Sequence, residues 1–201
     1  FWKRNLAFSI DAMLLSVTGL ILGLIAEPIF SSLAGWGRWV GFIIALLYFG
    51  VMDSQVFEGQ TLGKKMMKIR VVTEKNETLP LIKSIARYSI LGIPFFLNES
   101  AFMYNNLTYI VFTLNFSVLL TAAYLFVMNK QTRQSLHDLA IGTYVINTEQ
   151  KTVDIPEMWK THIYIVSVLF LFTAILPFLK PKSQLDMIKA IQNTQTALSS
   201  H

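Results

Sequence analysis

The sequence predicts an all-α fold, a polytopic transmembrane helix bundle, on three observations. Apolar runs recur along the chain, each near the roughly 20 residues that cross a hydrocarbon core of about 30 Å. Charged residues make up only 14% and hydrophobic residues 53%, with a mean hydropathy of +0.49; a soluble domain carries about 25% charged residues. The basic residues behind the net charge of +5 gather at the ends of the apolar runs, the pattern that places Lys/Arg flanks in the cytoplasm. A nucleic-acid binder would spread them over a polar surface, so nucleic acid is not an expected partner.

The first span, Leu6 to Ile25, follows Lys3 and Arg4 and contains Asp11. It is too long for a signal-peptide core and should stay as an anchor. Trp39 to Phe57 is the second span. The stretch Leu81 to Leu97 holds Lys83, Arg87 and Pro94, and either crosses or lies at the interface. Orientation favours crossing. The basic flanks Lys64/Lys65/Lys68/Arg70/Lys75 and Lys130/Arg133/Lys151 share a side only if an even number of crossings separates them, with Lys83 and Arg87 reaching for headgroups. Leu107 to Met128 and Ile163 to Leu179, the latter interrupted by Pro177, complete five spans. The N-terminus is then cytoplasmic and the C-terminus outside.

Two segments repeat. Tyr48–Gln55 (YFGVMDSQ) matches Tyr124–Gln131 (YLFVMNKQ), and Gln60–Val72 (QTLGKKMMKIRVV) matches Gln134–Ile146 (QSLHDLAIGTYVI). Each unit reads as a helical hairpin followed by a cytoplasmic segment, over about 4–75 and 81–148. Such units are parallel repeats about an axis along the membrane normal. The first segment is no phosphate loop: Gly59 to Gly63 is one residue short, and Lys65 stands where Ser or Thr should hold Mg²⁺. Its Lys64, Lys65, Lys68 and Arg70 are expected on anionic headgroups, at about 1 kcal/mol each.

Arg4, Asp11 and Thr18 recur every seven residues, so they share one face of the first helix. A carboxylate within the membrane must be protonated or paired, facing the bundle or a water-filled cavity. It reads either as a site for protons or monovalent cations or as a structural residue satisfied by a neighbouring helix. By depth, Thr121 and Tyr124 are its candidate neighbours, and Asp53 could reach Arg4. No cysteine is present, and His137, His162 and His201 are scattered, so neither a metal nor a cofactor is expected. His137 beside Asp138 has no nucleophile or Gly-rich elbow with it, so no enzyme is expected either.

Arg4–Asp11 (RNLAFSID), Gly59–Val72 and Arg133–Ile146 (RQSLHDLAIGTYVI) together resemble the RDD family of bacterial multi-pass membrane proteins over about residues 2–148. The resemblance implies that Arg4 is the family's arginine and Asp11 its first aspartate. Asp138 matches the second, with Asp53 in reserve. It also implies transport, such as cation/proton antiport, as one activity within the family. The stretch 159–180 and the tail 181–201 are additions. In the tail, Ser183 stands three residues before Asp186 as in a capping box, and Leu185, Ile188 and Ile191 share a face. Residues 183–201 therefore read as an amphipathic helix, either docking a second copy or another membrane protein, or lying on the surface. The expectations are a transporter working through Arg4, Asp11, Thr18 and Asp138, or a non-transporting scaffold or regulatory subunit.

Overall fold

Helices occupy each of the five apolar stretches: α1 (Trp2–Ile25), α3 (Gly37–Met52), α5 (Leu81–Leu97), α6 (Asn106–Met128) and α8 (Thr161–Ile175). The structure, a computed structural model, describes residues 2–98, 106–149 and 161–175. The tail helix expected over 181–201 lies outside the described residues, as does the end of the last apolar stretch. Among the described residues, α1 and Ile110–Met128 of α6 are each long and apolar enough to cross a membrane. Short helix α2 (Glu27–Leu33) and α3 would add a third such segment if that bent pair counts as one.

The helical expectation gains one unforeseen element. The two segments read as cytoplasmic each fold as a short helix and a strand: α4 (Leu62–Met66) with β1 (Ile69–Thr73), and α7 (Leu136–Ile141) with β2 (Thr143–Asn147). The strands pair antiparallel, Val71 opposite Val145, with Ile69↔Asn147 and Thr73↔Thr143 at the ends. Their β-branched runs, IRVVT and TYVIN, suit a half-buried ribbon. Val72, Tyr144 and Ile146 pack together there.

Gly59 makes the turn into this region possible. It has φ +73, and a Cβ there would fall 2.4 Å from the Val71 carbonyl oxygen, whose own residue donates its N–H to the Gly59 carbonyl at 2.9 Å. Only glycine fits both demands. The motif that resembles a phosphate loop is thus a tight structural turn.

Helices α3 and α5 pack through aromatic rings. Phe49 stacks on Tyr88 with centroids 4.9 Å apart, and Phe42 meets Phe96 at 5.5 Å. Helix α6 packs chiefly on α8, where Ser117 bonds Thr173 and the Tyr124 hydroxyl meets His162 Nδ1 at 2.9 Å. Asn115 of α6 donates to the Pro94 carbonyl at 2.9 Å, tying α6 to α5 beside its internal proline.

Candidate functional site

Two polar clusters form where the α4–β1 and α7–β2 segments meet the helices. The first is built on Asp11, which is 1% exposed. Its carboxylate accepts from the Tyr48 hydroxyl at 2.6 Å, the Thr61 hydroxyl at 2.5 Å and the Gly63 backbone N–H at 2.8 Å. Thr61 is itself the N-cap of α4 and accepts from Lys64 N. The close approach depends on Gly63, since a Cβ there would lie 2.1 Å from the Ala7 carbonyl oxygen. Asp11 therefore seats the start of α4 on α1.

The second cluster is a chain of alternating charges: Lys64, Asp53, Arg87, Asp138, Arg4. Lys64 Nζ bonds Asp53 Oδ1, whose other oxygen accepts from Arg87 Nη1 at 2.8 Å. Arg87 donates to Asp138 Oδ1 from Nη2 at 2.7 Å and from Nε at 2.9 Å. Arg4 Nη2 reaches Asp138 Oδ2 at 2.5 Å while its Nη1 donates to the Arg133 carbonyl at 2.6 Å. Thr143 and Ser135 hydroxyls add donors to Asp138 at 3.0 and 2.7 Å. Ser135 and Asp138 also form a capping box at the start of α7. One buried guanidinium thus joins the end of α3 to α7, and Arg4 ties in α1.

Burial alone would raise the Asp138 pKa, but Arg87 and Arg4 beside it hold it well below the usual carboxylate range. His137 goes the other way: burial, then the Arg87 charge, push it from 6.5 down to about 3. It is neutral in the folded protein at neutral pH. The sign of the resulting pH dependence follows from linkage. Between about 3 and 6.5 the unfolded chain binds a proton that the folded one does not, so stability is full above 6.5 and lost as pH falls. The Asp138 contribution is lost lower, below 3.8. Thermal melts of His137→Gln are expected to be flatter with pH than wild type within the histidine window; parallel curves would remove His137 from the acid response.

The structure brings together Arg4, Asp138 and Asp53 but keeps Asp11 in a separate pocket with donors of its own. Asp53 pairs with Arg87 and Lys64 and makes no bond to Arg4 among the described residues. Thr18 donates to the Leu14 carbonyl one turn back in its own helix, because a threonine hydroxyl in a helix readily bonds the i−4 carbonyl. Thr121 and Tyr124 do not surround Asp11. Thr121 is fully buried with no partner among the described residues, and Tyr124 faces His162. Two cations expected on lipid headgroups turn inward instead, since buried Asp53 and Asp138 need counter-charges: Lys64, and Arg87 with 7% of its side chain exposed. Lys65 and Lys68 remain on the surface, Lys68 paired with Glu149 at 2.8 Å, while Arg70 is half-buried. Sequence reasoning missed Tyr48, Thr61 and Gly63 as partners of Asp11. A legible signal did exist at the other cluster: Ser135-x-x-Asp138 has capping-box spacing.

Helices of spanning length, sealed at one end by buried ion pairs and a short ribbon, define an integral membrane protein. Its chain belongs to the RDD family, whose family model matches residues 1–142. The uncharacterized protein YxaI of Bacillus subtilis (strain 168) is 28% identical over 109 residues, covering 44% of this chain and 72% of its own. No solved structure matches. Helix α8 lies beyond the matched residues.

Proposed function

We propose that this chain is a non-transporting scaffold or regulatory subunit of a bacterial cytoplasmic membrane, neither an enzyme nor a proton-coupled carrier. The observation that carries this reading is saturation. The oxygens of Asp11, Asp53 and Asp138 are engaged by protein donors, and all three residues are at most 2% exposed. A carboxylate that shuttles protons needs a face open to water or substrate; these act as joints.

The architecture proposed with it is five spans with a cytoplasmic N-terminus, in two parallel hairpin repeats plus α8. Its support is local. From Leu62 to Leu136 and from Ile69 to Thr143 is the same sequence step. Gln60 Nε2 donates to the Ile69 carbonyl just as Gln134 Nε2 donates to that of Thr143. Val71 pairs with its own counterpart, Val145, as a local twofold axis requires.

The test is flux. Purified protein in liposomes is expected to carry no coupled proton and cation flux. Asp11→Asn should lower the thermal midpoint, because its amide turns one acceptor into a donor facing Thr61 or Gly63, a loss of about 1–3 kcal/mol. Flux that Asp11→Asn abolishes at unchanged stability would overturn the scaffold reading. In cells, deleting residues 183–201 is expected to release a co-purifying membrane partner.

One observation favours transport as a second reading. Three cations face two carboxylates in the buried chain of charges, and arginine does not deprotonate. Lys64 is then the cation able to give up a proton, so its replacement by methionine, rather than that of Asp11, would stop flux under this reading.

A further inference from the structure

Residues 55–66 follow the end of α3 at Met52, and from Glu58 onward a solvated loop would be expected. They nevertheless present four apolar side chains, Val56, Phe57, Leu62 and Met66, at 43% to 66% exposure. Single exposed apolar residues are ordinary, but four within one short turn-and-helix segment form a patch. The segment has its own polar interior: Thr61 and Gly63 are held by Asp11, and Lys64 by Asp53.

The depth of this patch follows from α1. The apolar run Leu6 to Ile25 is 20 residues, just the length of a hydrocarbon core about 30 Å thick. With Leu6 at the boundary, Asp11 lies five residues inside it, roughly 7 Å at 1.5 Å per residue. Gly63 N sits 2.8 Å from the Asp11 carboxylate and so shares that depth. An interfacial amphipathic helix sinks its apolar face by about 5–10 Å, and α4 falls within that interval. Its charge matches as well: Lys65 stands beside Met66 and is exposed, and its long stem lets the ammonium group rise to the headgroups.

From this we propose that residues 55–66 form an interfacial wedge, with Val56, Phe57, Leu62 and Met66 among the acyl chains of one leaflet and Lys65 on anionic headgroups. The wedge hangs from Asp11. The inference rests on the reading that α1 spans the membrane, so its test includes an arm for that reading.

These 201 residues contain no cysteine, so single cysteines can be introduced for labelling without other changes. Val17→Cys, Phe57→Cys, Met66→Cys and Glu77→Cys, each with a small fluorophore, are placed in vesicles of phosphatidylcholine and phosphatidylglycerol. Quenchers are nitroxides on the acyl chains and aqueous iodide. Labels at Phe57 and Met66 are expected to be quenched by the acyl nitroxides at least about threefold more than the label at Glu77, in the turn after β1. Equal quenching of Met66 and Glu77 by iodide would overturn the wedge. Shielding of Met66 from both quenchers would also overturn it, since a protein partner or second copy would then cover the patch. If the Val17 label also escapes the acyl nitroxides, the spanning of α1 fails and the wedge falls with it. Lipid contact at Val17 without contact at Met66 sinks the wedge alone.

Discussion

Replacing Arg87 with methionine is expected to destabilise the protein by about 3–5 kcal/mol. The guanidinium is 6% exposed as a residue and is shared by two carboxylates, Asp53 and Asp138, that are at most 2% exposed. Methionine removes the shared partner and leaves both carboxylates short of donors in a place water does not reach. Lys64 and Arg4 still hold one oxygen of each, so the loss falls on the inner two oxygens. Arg87→Lys is expected to fall between, because an ammonium cannot place separate planar donors on two acids as a guanidinium does. The measurement is unfolding of the purified protein in detergent across wild type, Arg87→Lys and Arg87→Met. A methionine variant as stable as wild type would show that these ion pairs do not brace the helices.

Gly63→Ala is the second large effect, at about 3 kcal/mol or somewhat more. An added Cβ would lie 2.1 Å from the Ala7 carbonyl oxygen, 2.9 Å from its carbonyl carbon and 3.0 Å from Asp11 Cγ. Two of those atoms are helix backbone, which cannot swing aside as a flexible side chain can. Helix α4 must lift away from α1, and the bonds from Thr61 and Gly63 to Asp11 break together. Asp11 is then left buried with Tyr48 as its remaining donor. The outcome would resemble Asp11→Ala, and the double variant should cost little more than either alone, which a double-mutant cycle measures. Full additivity would mean that the glycine and the carboxylate act at separate joints. By contrast Gly19→Ala and Gly23→Ala, where nothing lies within 4 Å of the added carbon, are expected to be neutral.

How much of the site was legible follows from which residues stand close in the chain. Asp11 within an apolar run announces its own need for a partner, because lipid offers none. What satisfies it is Thr61, Gly63 and Tyr48, which arrive from two later segments. A helical period cannot reveal them, since it orders only residues on the same helix. Hence the stripe of Arg4, Asp11 and Thr18 shares a face yet not a function: Arg4 is claimed by α7, Asp11 by α4, and Thr18 by its own backbone. Arg87 shows the same limit. A lone arginine in an amphipathic stretch is satisfied equally by a headgroup or by a buried acid, and the choice depends on whether Asp53 and Asp138 come within reach.

By itself the sequence determined the helices and their approximate bounds, the class of the protein and its family, because length and apolarity are local properties and lipid leaves a backbone few alternatives. It also aligned the two segments that begin at Gln60 and Gln134 with one another. Tertiary structure alone decided that these segments end in strands paired with one another, and that Asp11 and Asp138 serve different joints. It also turned Lys64 and Arg87 inward. The reason is physical: a buried charge is tolerable only beside its counter-charge, and which counter-charge arrives is fixed by how distant helices pack.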